Sequence, residues 1–153
     1  MAYKPDAQKL KKICDLVVNA SEFKPVGDVT KCNLAVRKIL EGMGVDLFFD
    51  KKLKRVLLAN EMIDFIIAHP AMFARYSDTD SAISDAREGY VIMACQKGQF
   101  HGHVAILYPV GSELSDSWRK MVPMLANVGK ENKVMRASKC FRTEPEYYCI
   151  LPF

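Results

Sequence analysis

The stretch GQFHGHVAIL, residues 98–107, places a histidine among the apolar residues of a predicted strand. Within the run 102–108, strand alternation predicts that His103, Ala105 and Leu107 share one face. A buried imidazole is unfavourable unless another group hydrogen-bonds it, so His103 requires a polar partner elsewhere in the chain. We expect that partner on a neighbouring strand or on a helix packed against the sheet.

The pattern around this strand predicts an α+β fold. Strands are predicted in the second half of the chain at residues 90–95, 102–108, 122–128 and 146–151. Amphipathic helices are predicted in the first half at residues 7–19, 31–43, 59–69 and 77–88. Helices followed by hairpin-linked strands predict one domain over residues 1–153, with N-terminal helices packed on a mostly antiparallel sheet of about four to six strands.

The helix predicted at 31–43 carries the clearest apolar stripe, and Cys32 lies at its start. Thr30 is the expected N-cap and Gly44 the expected C-terminal cap. Unpaired backbone N–H groups and the positive end of the helix dipole are expected to lower the pKa of a thiol at this position.

Asn127 is the expected partner of His103. A ten-residue connection allows the strands 102–108 and 122–128 to be neighbours, which brings the two side chains close together. If Cys32 packs against the sheet face that carries His103, the chain holds a nucleophile, a base and an orienting amide in the order Cys, His, Asn. Each residue also has a purely structural explanation: a helix-stripe thiol, a core histidine and a turn residue before Gly129.

Two other interpretations of the Cys and His residues stay open. His101 and His103 are predicted on one strand face, but no third ligand has metal-site spacing, so no metal or other cofactor is expected. The five cysteines show no CxxC pair, and an odd count leaves at least one thiol unpaired. Cys14 and Cys149 are the candidates for a disulfide.

The composition excludes several classes of protein. The net charge of +4 is mild, and the basic residues form no stripe interleaved with aromatics, so no nucleic-acid partner is expected. No apolar run approaches the ~20 residues of a membrane span. The N-terminus lacks the pattern of a secretory signal, so we expect synthesis in the cytoplasm and, for an extracellular role, export by lysis or type VI secretion.

Four segments together resemble a known family. They read KCNLAVRKILEGMGV (31–45), LANEMIDFI (58–66), EGYVIMACQKGQFHGHVAILYP (88–109) and PMLANVG (123–129). In this order they resemble the papain-like cell-wall cysteine peptidases of the NlpC and CHAP type, including phage lysins and type VI secretion amidase effectors. The resemblance implies a papain-like fold and an amidase or endopeptidase that acts on peptidoglycan stem peptides, at the D-glutamyl–diaminopimelate bond or a similar one.

The resemblance also implies roles for individual residues. Cys32 matches the nucleophile, His103 the general base and Asn127 the third, polar member. The segment KCNLA departs from the commoner DCSGF, which leaves Asp28 and Asn33 as candidate neighbours of the oxyanion.

Several expectations concern ligands and partners. Trp118, Tyr76 and Phe100 are candidates for lining a substrate groove, although each is as readily a packing residue. We expect a monomer, with an immunity or adaptor protein as partner if the chain is an effector. The alternatives are a papain-like hydrolase or transferase acting on another amide, and a catalytically silent binding module on the same fold.

Overall fold

The computed structural model describes residues 2–152. Its α-helices are α1 (Ala7–Asn19), α2 (Cys32–Gly42), α3 (Ala59–Ala68), α4 (Thr79–Arg87) and α5 (Ala137–Cys140). Its strands are β1 (Phe49–Asp50), β2 (Arg55–Val56), β3 (Phe73–Arg75), β4 (Ile92–Gln96), β5 (His103–Ser115), β6 (Lys120–Asn127), β7 (Lys133–Arg136) and β8 (Glu146–Ile150). All four predicted helices and all four predicted strands are confirmed. Their ends shift by at most two residues, except at the C-terminal end of β5.

A six-stranded antiparallel sheet forms the centre of the fold, in the order β3-β8-β4-β5-β6-β7. The small strands β1 and β2 pair separately. The α+β class and the antiparallel sheet are therefore confirmed. Strand β5 runs seven residues beyond its predicted end, and its pairing register with β6 shifts between Leu107 and Ser112. Gly111 lies in this irregular segment with a φ of 89°, and such bulges bend a hairpin.

Helices cover both faces of the sheet. On one face α1, α2 and α3 bury a cluster that includes Leu40, Met62 and Ile106. On the other face α4 and α5 bury a second cluster that includes Leu107 and Phe141. Ile106 and Leu107 enter different clusters because successive side chains of a strand point to opposite faces.

The ends of the helices agree in part with the predicted caps. Gly44, with a φ of 82°, follows the last turn of α2, as predicted. The N-cap of α2 is Lys31, whose side chain makes no capping hydrogen bond, so the assignment of Thr30 was wrong. In α4, Asp78 caps the start by accepting a 2.7 Å hydrogen bond from the backbone N–H of Ser81.

The candidate disulfide between Cys14 and Cys149 is absent. All five cysteines lie within the described residues, and all are free thiols. Cys14 belongs to the cluster under α1, whereas Cys149 belongs to the cluster on the other face of the sheet. The sheet therefore separates the two side chains. In residues 2–152 no helix combines the length and apolar character needed to cross a bilayer.

Gly89 is required at the junction between α4 and the sheet. Its φ is 90°, and a Cβ at this position would collide with the backbone of Asp6 and Ala7. We expect Gly89→Ala to lower the free energy of unfolding by about 2–4 kcal/mol, since strain at positive φ and a backbone collision add. Gly27→Ala is the matched control, because Gly27 has a φ of 59° and open space around its Cβ position. Urea denaturation should show a loss of about 1 kcal/mol for the control, and equal losses would contradict the packing argument.

Candidate active site

His103 and Asn127 are joined by a hydrogen bond. His103 begins β5 and Asn127 ends the neighbouring strand β6, and His103 Nε2 lies 2.8 Å from Asn127 Oδ1. Asn127 Nδ2 donates a 2.8 Å hydrogen bond to the carbonyl of Glu131, which directs Oδ1 towards the ring. Because Oδ1 can only accept, the neutral imidazole carries its proton on Nε2 and leaves the Nδ1 lone pair available as a base.

The surroundings of His103 keep the ring uncharged at neutral pH. Burial lowers the pKa of His103 below 6.5, and the hydrogen bond to Asn127 opposes that shift only in part. The ring of Phe141 lies against the imidazole, with centroids 4.9 Å apart. Because the unfolded chain binds a proton at His103 more readily, this group lowers the free energy of unfolding as the pH falls below about 6.5.

Cys32 is the first residue of α2, and its side chain is buried, with 6% of the residue exposed. Burial is the largest influence and raises the pKa of the thiol. Backbone hydrogen bonds from Val104, Asn33 and Cys32 itself lower the pKa but do not outweigh burial. The expectation of a lowered thiol pKa was therefore wrong, because desolvation dominates over the helix N-terminus.

The thiol reaches the start of β5 from the face opposite to the one that was expected. Cys32 and Val104 belong to the cluster under α1–α3, whereas His103 contacts Phe141 of the other cluster. Alternation along β5 points Val104, and not His103, towards α2. The backbone of Val104, the residue after His103, nevertheless lies close enough to the sulfur to lower the pKa of the thiol.

A surface pocket of about 370 Å³ opens beside the histidine. His103 and Asn127 form part of its wall. The other lining residues include Thr30, Gly129, Lys130, Lys139 and Cys140. Gly129 lies close to the pair, since a Cβ there would stand 3.5 Å from His103 Cε1. His103 and Asn127 are thus accessible to a ligand, although Cys32 is buried.

The two oxyanion candidates occupy different positions. The side-chain amide of Asn33 donates a 2.9 Å hydrogen bond to the carbonyl of Leu57, which fastens the start of α2 to the segment before α3. Asp28 is exposed in a turn whose flanking residues, Val26 and Val29, exchange two 3.0 Å backbone hydrogen bonds. Of the two residues, only Asn33 adjoins the thiol, through its backbone.

None of the three aromatic groove candidates, which all lie within the described residues, lines this pocket. Tyr76 and Trp118 pack against the cluster under α4, and the Tyr76 hydroxyl donates to Asp85 at 2.7 Å. Phe100 is 81% exposed in the loop before β5. His101 is exposed in the same loop and outside the strand, so it does not share a strand face with His103 as predicted.

Two residues that sequence reasoning assigned no role support His103. Phe141 covers the ring but lies in a segment predicted as loop, where no periodic signal marks it. Asn60, within the LANEM segment, donates to the Gly98 carbonyl at 2.9 Å and accepts from the Gly98 N–H at 3.2 Å. A Cβ on Gly102 would collide with the same amide. Asn60 therefore fixes the loop that leads into β5.

Comparison with known proteins adds no assignment. No protein-family model matches the chain, and no curated protein matches it significantly.

The role of Asn60 can be measured at the Gly98 amide. Asn60→Ala removes two hydrogen bonds, each worth about 1 kcal/mol, so we expect hydrogen exchange at Gly98 to accelerate by at least about tenfold. Asn19→Ala is the control, because Asn19 Nδ2 donates a 2.7 Å hydrogen bond to the backbone carbonyl of Asp15 on the exposed side of α1. Unchanged exchange at Gly98 would show that other contacts hold the loop.

The role of Asn127 can be measured through the titration of His103. Asn127→Leu removes the acceptor that stabilises the imidazolium, so we expect the pKa of His103 to fall further below 6.5. NMR titration of the ring protons measures this shift, with Asn19→Leu as a control for a general effect of replacing an amide. A pKa of His103 above 6.5 in the wild-type chain would contradict the burial argument.

Proposed function

We propose that the chain is a papain-like cysteine hydrolase of the NlpC and CHAP type that cleaves an amide bond in peptidoglycan stem peptides. The observation that carries the proposal is the hydrogen bond from His103 Nε2 to Asn127, since it leaves Nδ1 as a free base. A buried thiol lies beside the residue that follows this histidine. The order Cys, His, Asn and the resemblance of four segments to cell-wall peptidases support the class of substrate.

In the proposed first step, the Cys32 sulfur forms a bond with the amide carbonyl carbon while His103 Nδ1 takes the thiol proton. Because His103 is the first residue of β5, this step requires its ring to reach the sulfur around the end of the strand. The carbonyl π electrons move onto oxygen, and backbone N–H groups at the start of α2 stabilise the resulting oxyanion. The carbon–nitrogen bond then breaks, and the imidazolium returns its proton to the departing amine. This sequence leaves a thioester on Cys32 and a neutral histidine.

In the second step, His103 takes a proton from water, and the water oxygen bonds to the thioester carbon. The carbon–sulfur bond breaks, a carboxylic acid forms, and the sulfur recovers a proton from the imidazolium. Asn127 positions the ring throughout and stabilises its charged form. Because the resting pair is a thiol and a neutral imidazole, the proton must move when substrate binds and not before.

The burial of Cys32 favours a second candidate, a catalytically silent binding module. A thiol that is 6% exposed and has a raised pKa is a poor nucleophile in the resting state. In this alternative the pocket beside His103 binds a cell-wall fragment without cleaving it. Alkylation distinguishes the two candidates, since a silent module predicts that iodoacetamide spares Cys32 at neutral pH even when muropeptides are present.

Digestion of purified peptidoglycan, with the fragments identified by mass spectrometry, tests the hydrolase. We expect the wild-type chain to release defined stem-peptide fragments and Cys32→Ala to be slower by at least about a thousandfold. Cys140→Ala is the comparison variant, because Cys140 is the thiol that lines the pocket itself; it should lose far less activity than Cys32→Ala. If the wild-type chain cleaves neither sacculi nor isolated muropeptides, the proposed function is rejected.

A further inference from the structure

Two lysines stand in the wall of the pocket that contains His103 and Asn127. Lys130 lies in the turn between β6 and β7, and Lys139 lies in α5. We infer that this pocket binds a carboxylate carried by the amine half of the substrate, the half released in the first step. This inference rests on the proposed cysteine hydrolase and specifies its substrate further.

The chemistry of the reaction places the amine half on this side. The departing nitrogen takes its proton from the imidazole, so that nitrogen must approach His103. The acyl half stays attached to the sulfur of Cys32, the buried first residue of α2. The open space next to the histidine is therefore where the amine half extends.

The charges in the pocket favour an anion. Both lysines are exposed, and within residues 2–152 neither one forms an ion pair. The acid in the wall, Glu131, already pairs with Lys133 at 3.3 Å. Thr30 adds a hydroxyl to the same wall. Two uncompensated ammonium groups and a hydroxyl bind a carboxylate better than a neutral or cationic group.

The backbone that carries Lys130 is held in place. Asn132 accepts from the Gly129 N–H at 2.9 Å and donates to the carbonyl of Phe23 at 2.7 Å, which ties the turn to the segment before α2. Asn127 Nδ2 fastens the carbonyl of Glu131 in the same turn. The Asn127 side chain thus orients the base and also holds the turn that supplies one of the cations.

Two matched substrates test the inference. One is the stem tripeptide L-Ala-γ-D-Glu-diaminopimelate, and the other has the diaminopimelate carboxyls amidated. We expect kcat/KM of the wild-type chain to be about tenfold higher for the acid, the range of two exposed ion pairs. In Lys130→Met/Lys139→Met this ratio should fall to about one. The ratio is independent of the fraction of folded enzyme, so a partial loss of stability does not imitate the result.

Lys9→Met/Lys12→Met is the control for net charge, because both lysines are exposed on α1, away from this pocket. The Lys9→Met/Lys12→Met variant should keep the wild-type preference for the substrate with free carboxyls. The variant Lys130→Arg/Lys139→Arg should keep this preference as well. A wild-type chain that cleaves both substrates equally, or a double Met variant that retains the preference, overturns the inference and leaves the hydrolase standing. If the wild-type chain cleaves neither of these substrates and also does not cleave whole peptidoglycan, both the hydrolase and the carboxylate-binding pocket are overturned.

Discussion

The hydrogen bond between His103 and Asn127 depends on the pairing of β5 with β6, and much of the candidate site depends on this bond. An imidazole enclosed by the sheet and Phe141 is tolerated because one nitrogen has a partner. The same partner selects the tautomer, since the Asn127 amide is oriented by the Glu131 carbonyl. A single pair of strand ends therefore satisfies a partly buried histidine and presents a basic nitrogen.

The sequence predicted this pair because both residues belong to periodic elements. His103 and Asn127 stand at the ends of two apolar runs joined by a short connection, and antiparallel pairing of such runs leaves few registers. Helix α2 was equally clear, since its apolar stripe and Gly44 mark its length. A local sequence pattern predicts the structure best where neighbouring residues all favour the same secondary structure.

Other features could not be predicted from the sequence, because they depend on contacts between segments that are distant along the chain. Phe141 covers His103 from a segment without periodicity, and Asn60 reaches Gly98 across 38 positions of the chain. The pKa of Cys32 was predicted in the wrong direction, because a helix N-terminus is visible in sequence whereas the depth of burial is not. The face on which Cys32 meets β5 also required the structure, because alternation alone does not say which face a helix covers.

Burial of both members of the candidate pair constrains how a reaction can proceed. Burial raises the pKa of the Cys32 thiol and lowers the pKa of the His103 imidazole, so the resting state favours a thiol and a neutral imidazole. In the proposed hydrolysis, a substrate changes this balance by supplying a carbonyl oxygen on which the negative charge can accumulate next to backbone N–H groups. In that proposed reaction, proton transfer coincides with carbon–sulfur bond formation, and the chain maintains no buried ion pair before the substrate binds.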